Sequence, residues 1–149
     1  MDVIAFEQVF ARRDELASGW WGTEPIVNGV RLAELARAVE LPIAIAAGEP
    51  RFAGKYAGLW GSFLWPSRHY LDEPREYCFG DGDTTLLGCT CSVAGCWPLS
   101  AIVSVDEHSV RWSGFRMGFR DWDLSALGPF VFDRDQYERA LGRPESQVD

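Results

Sequence analysis

The sequence predicts an α+β fold, an antiparallel β-meander packed with two or three helices in one domain over residues 1–149. Three observations predict it. Residues 98–105 and 109–115 alternate in polarity on either side of the polar turn Asp106-Glu107-His108, which reads as a hairpin. Leu32, Leu35, Ala36 and Val39 recur at i, i+3, i+4 and i+7, one apolar helical stripe. Asp133 stands three residues before Gln136, the spacing of a helix-capping pair, and Gly142 and Pro144 close the helix it opens.

Residues 2–17 fit two periods at once. Ile4, Phe6 and Phe10 share a strand face, whereas Phe6, Val9, Phe10 and Leu16-Ala17 fit a helix. Gly19-Trp20-Trp21-Gly22 breaks either pattern. Asn28-Gly29 lies between Pro25-Ile26-Val27 and Val30-Arg31-Leu32, and this dipeptide accepts the positive φ of a tight hairpin turn. A helix follows over 32–40, with Glu34 and Arg37 on its far side and Pro42 as its stop. Residues 43–70, rich in glycine and aromatics, predict no regular element. Gly80-Asp81-Gly82-Asp83 is a turn within an acidic stretch. Thr84–Gly88 is a short strand, 116–128 an irregular loop, and Pro129–Phe132 a short apolar strand leading into the last helix.

Composition limits the function. The chain has 149 residues, enough for a full core without disulfide or metal staples. Its formal net charge of −8 opposes nucleic acid, which is bound by Lys and Arg displacing counterions, and opposes an anionic membrane surface. A protein or a small molecule is the expected partner, and a macromolecular one should be basic. The longest apolar stretch, Leu41 to Ala47, is too short to span a bilayer, and Met1-Asp2-Val3 lacks the basic start of a signal peptide. The expected location is the cytoplasm, with cysteines reduced. Seven Trp and nine Phe indicate an aromatic core. The alternative is an aromatic binding surface, for which Tyr56, Trp60 and Trp65 are the candidates.

Standard catalytic signatures are missing. The sequence holds no G-x-G-x-x-G, no P-loop, no H-E-x-x-H, no C-x-x-C and no G-x-S-x-G. His108 falls in an exposed turn. His69 is the better candidate base, but without a paired nucleophile it reads as a surface or interfacial histidine. Asp81 and Asp83 faintly suggest a calcium loop, yet a third acidic ligand and a terminal Glu are absent, so a solvated turn is the reading. Asp121-Trp122-Asp123 reads as surface. Arg111, Arg116 and Arg120 interleave with Trp112, Phe115 and Phe119, a texture of single-strand nucleic-acid surfaces. Against the net charge, they read as Arg stems packed over aromatic neighbours.

Three of the four cysteines, Cys89, Cys91 and Cys96, fall within eight residues. Ser92-Val93-Ala94-Gly95 makes a four-residue connection that places Cys91 opposite Cys96, with Cβ atoms ~4.5–5.5 Å apart. Cys89 points to the same face as Cys91. A closed zinc site needs a fourth ligand, and His108 would lie more than ~20 Å away along the hairpin. The expectation is therefore reduced thiols packed as small apolar groups, with no cofactor and zinc disfavoured. A Cys91–Cys96 disulfide, or metal or reactive-thiol chemistry at the trio, are the alternatives.

The segment Leu86-Leu87-Gly88-Cys89-Thr90-Cys91 through Gly95-Cys96-Trp97-Pro98-Leu99 stands out. With Val27-Asn28-Gly29-Val30-Arg31-Leu32 and Gly128-Pro129-Phe130-Val131-Phe132-Asp133, it resembles a family of small uncharacterised bacterial proteins. The resemblance runs from about residue 25 to 142 and implies no activity. Two functions from different classes are expected. One is a small acidic binding or interaction domain, immunity-like against a basic partner. The other is a small enzyme or a redox- or metal-responsive protein built on Cys89, Cys91 and Cys96. A third form, a small-ligand protein, needs residues 54–65 to line a concave pocket.

Overall fold

The computed structural model describes residues 1–12, 19–90 and 97–144. Two four-stranded antiparallel sheets and two α-helices form the architecture, which is the α+β class expected. The first sheet begins with strand β1 (Ile4–Arg12) paired along its length with β2 (Gly19–Val27). The two-fold reading of residues 2–17 thus resolves as strand over Ile4–Arg12. β3 (Val30–Arg31) and β4 (Leu59–Trp60) both pair with the far side of β2, at Ile26–Val27 and at Gly22–Thr23 respectively. Pro25 sits in the gap between these two short pairings, where its missing N–H breaks no ladder bond. β2 and the chain before β4 approach closely. A Cβ on Gly58 would come within 2.6 Å of the Thr23 backbone, so no larger residue fits there.

The second sheet is the expected meander. Strands β5 (Asp83–Leu87), β6 (Leu99–Val105), β7 (Ser109–Met117) and β8 (Phe130–Asp133) pair in chain order. The Asp106 carboxylate closes the β6–β7 turn, accepting from the backbone N–H groups of His108 and Ser109. One core joins the sheets, containing Ile4 and Val27 from the first and Leu86, Leu99, Trp112 and Phe132 from the second. Tyr137 ties this core together. Its hydroxyl accepts from Trp112 Nε1 at 3.0 Å and donates to the Tyr70 carbonyl at 2.7 Å.

Helix α1 (Leu32–Ala46) runs past Pro42, contrary to the expected stop. The physical reason lies in the faces. Pro42 deprives the Ala38 carbonyl of its partner, and both residues are exposed, so water satisfies that carbonyl. The buried row continues beyond it as Leu32, Ala36, Glu40 and Ala44, spaced by four. The C-terminal helix α2 (Arg134–Ala140) starts as expected. The Asp133 side chain accepts from Gln136 N at 3.0 Å. The Gln136 side chain does not return to Asp133; it docks β1, as described below.

Candidate interaction site

The outer edge of β1 can be built up residue by residue. Antiparallel pairing points alternate residues of a strand toward and away from the neighbour. On the β2 side, Val3 accepts from Asn28 N and donates to Asn28 Oδ1, both at 2.8 Å, so odd-numbered residues face β2. Even-numbered residues therefore present N–H and C=O to the outside. The first two are used. Asp2 N donates to the Val131 carbonyl at 2.9 Å, and the Asp2 carboxylate accepts from Val131 N at 2.8 Å, joining the two sheets. Ile4 N donates to Gln136 Oε1 at 3.1 Å, and Gln136 Nε2 donates to the Ile4 carbonyl at 2.7 Å. The amide of Gln136 thus imitates one residue of a partner strand. Beyond it, the outward backbone groups of Phe6, Gln8 and Phe10 have no hydrogen-bond partner among the described residues.

Large aromatics flank this open edge. Phe10 and Trp21 are cross-strand partners, their rings 5.5 Å apart edge to face, and Trp21 is 61% exposed. Trp60, 49% exposed beside buried Trp20 at 6.1 Å, is not at this edge but on β4, across β2 from β1. The Gln8 side chain is fixed, donating to Thr23 Oγ1 at 2.7 Å. Glu7 faces Arg31 at 3.8 Å. An edge of this kind has a strand's full hydrogen-bonding capacity next to apolar contact surface.

The residues singled out from sequence lie elsewhere or serve the fold. Tyr56 is in the interior rather than on a surface, and its hydroxyl donates to buried Glu40, which also accepts from Gly54 N at 2.8 Å. Burial pushes the Glu40 carboxyl above the ordinary range, against the opposing pull of these two donors. Trp60 is on the exposed face of β4, and half-buried Trp65 lies where its backbone N–H donates to the Leu141 carbonyl. Cys89 is buried at the end of the strand region after β5; Cys91 and Cys96 lie outside the described residues.

His69 is fully buried, not on a surface. Its Nδ1 accepts from Arg75 N at 3.0 Å, which leaves Nε2 as the protonated nitrogen, donating to the Thr85 carbonyl at 2.7 Å. Burial lowers its pKa to about 4. His69 is therefore a neutral brace between the 69–75 turn and β5. Asp83 also departs from the solvated turn expected of it. It is 1% exposed and accepts from the backbone N–H groups of Cys78, Phe79 and Gly80 and from the Ser100 hydroxyl. Burial alone would raise its pKa, but these donors prevail and hold it at about 2. Asp81 is exposed and paired with Arg116, which stacks 3.8 Å over Phe79. Arg120 pairs with Glu49 and lies 5.1 Å from the Trp97 ring, so the aromatics that these arginines cover are Phe79 and Trp97 rather than their expected neighbours Trp112, Phe115 and Phe119.

Sequence reasoning missed Glu40, Gln136 and the β1 edge. Glu40 carries no sequence signal, since a glutamate in a helix usually faces water. The edge had one, the Phe6/Phe10 alternation, which is shared with the helical reading. No family model, curated protein or solved structure matches this chain.

Proposed function

We propose that the protein is an interaction domain that takes an extended segment of a basic partner protein onto the open edge of β1. The observation that carries this reading is the run of unpartnered outward backbone groups at Phe6, Gln8 and Phe10, beside exposed Phe10 and Trp21. Main-chain pairing supplies affinity in strand addition, and aromatic neighbours supply side-chain contacts. The net charge of −8 favours a basic partner through long-range attraction. Three buried titratable groups, Glu40, His69 and Asp83, support the same reading, because each is engaged in holding loops to helices or strands. An immunity-type role, in which the domain covers and neutralises a basic protein, is one form of this function.

Gln8→Pro tests it. The Gln8 N–H has no partner, so proline removes no bond from the fold while it blocks an added strand. Gln8→Ala controls for the lost Thr23 contact. A basic protein captured from the native cell and then purified should bind the wild type and Gln8→Ala, bind Gln8→Pro weakly or not at all, and dissociate with added salt. Equal binding to all three chains would contradict the proposal. Self-association of the purified chain that Gln8→Pro abolishes would also contradict it, making a second copy the occupant.

A further inference from the structure

The second sheet carries a groove of about 470 Å³ on the outer side of β7, remote in sequence from the β1 edge. Its origin is a bulge. Ser100 pairs with Arg116 and Ile102 with Ser113, so Gly114 and Phe115 together oppose the single residue Ala101. Gly114 takes φ +62, the left-handed conformation that such a bulge requires. The extra residue turns Phe115 inward and leaves Ser113 and Arg116 on the outer side. The segment 122–127 lines the groove beside β7, rooted by buried Leu124 and Leu127. Half-buried Trp122 is the main apolar element of the wall, and Phe115 and Leu127, each 5% exposed, contribute only an edge.

The charges around this wall differ in how they are used. Arg116 donates from Nη2 to both Asp81 oxygens, at 2.8 and 2.9 Å, so its charge is met. Arg111 projects from the same face of β7, opposite Ser104 and Val131, and its side chain makes no ion pair or hydrogen bond among the described residues. Asp123, across the groove lining, is exposed; its Oδ1 accepts from Ser125 N at 3.0 Å, and the Ser125 side chain also hydrogen-bonds its carboxylate. Hydrogen bonds from Ser125 lower its pKa, so it is ionised at neutral pH. One uncommitted guanidinium, one carboxylate and an apolar wall thus line a space of ligand size.

We infer that this groove binds a free α-amino acid with a large apolar side chain. The carboxylate meets Arg111, the ammonium meets Asp123, and the side chain lies against Trp122 and the edges of Phe115 and Leu127. A simple anion would leave Asp123 facing like charge, and a simple cation would leave Arg111 so. The inference is independent of strand addition at β1, and Gln8→Pro leaves the groove intact.

Calorimetric titration with L-phenylalanine tests it, beside N-acetyl-L-phenylalanine and L-phenylalaninamide, which each lack one charge. Saturable binding of phenylalanine is expected, with both blocked compounds at least about tenfold weaker, since a charge-assisted hydrogen bond is lost in each. Arg111→Gln should weaken phenylalanine by a similar factor and leave N-acetyl-phenylalanine no better bound. Asp123→Asn should weaken phenylalanine and leave N-acetyl-phenylalanine bound as well or better, since the like charge facing its carboxylate is gone. Both side chains are exposed, so the variants should keep the wild-type circular dichroism spectrum. No saturation by about 10 mM, or equal affinity for phenylalanine and the blocked compounds, would overturn the inference. So would folded variants that bind phenylalanine as the wild type does.

Discussion

Asp83→Asn should remove a pH-dependent part of the stability of the second sheet. The Asp83 carboxylate gathers three backbone N–H groups and the Ser100 hydroxyl, binding the 78–80 turn to β5 and β6. Lowering a carboxyl from 3.8 to about 2 corresponds to about 2 kcal/mol of preference for the ionised, folded form. The folded pKa lies below the unfolded one, so the unfolded chain takes up the proton first as pH falls. The contribution is complete above pH ~4 and is lost as pH falls through about 2. Asparagine keeps the shape and one acceptor, but turns an NH₂ toward donors. Urea unfolding at a series of pH values measures the difference. The wild type should exceed Asp83→Asn by about 2 kcal/mol at pH 7, and the gap should narrow steadily below pH ~4. A gap that stays constant down to pH ~2.5, or no gap at pH 7, would refute the assignment of Asp83 as an ionised anchor.

Two further predictions concern α2 and His69. Asp133→Ala should cost about 1 kcal/mol, as loss of a helix cap does, whereas Gln136→Ala also releases both backbone groups of Ile4 and should cost about 1–2 kcal/mol. Amide exchange near Ile4 should rise in Gln136→Ala and not in Asp133→Ala. In nitrogen-detected NMR, His69 should remain the neutral Nε2–H tautomer from pH 8 to about 5, and equal ring-nitrogen shifts would contradict its placement.

Much of this fold is legible in the sequence because local chemistry and tertiary packing agree. Asn28 and Gly29 take φ +52 and +84, the two positive values that the dipeptide implies, and the β6–β7 hairpin and the Asp133 cap follow their patterns. Where packing overrides local signals, the sequence misleads. Pro42 stands on a solvent face, so the helix continues. Phe6 and Phe10 satisfy both periods, and only the partner strand β2, with Pro25 and its glycines, settles the choice. Glu40, His69 and Asp83 look like surface chemistry by residue type. Their burial depends on donors and acceptors from loops that are distant or irregular: Gly54 and Tyr56, Thr85 and Arg75, and Ser100 with the 78–80 backbone. By its spacing Gln136 reads as half of a capping pair, whereas its side chain bonds Ile4, 132 residues away. The unpartnered edge is the least legible feature, since it is defined by what the rest of the fold leaves uncovered.

Amide hydrogen exchange resolved by residue tests the open β1 edge most directly. Ala5, Glu7 and Val9 face β2 and should be protected in the isolated protein, while Gln8 and Phe10 should exchange rapidly between them. Addition of the basic partner should then protect Gln8 and Phe10 selectively. If Gln8 and Phe10 are as protected as Glu7 and Val9 in the isolated monomer, the edge is not open and the proposed function fails. It fails equally if partner binding leaves those two amides unchanged.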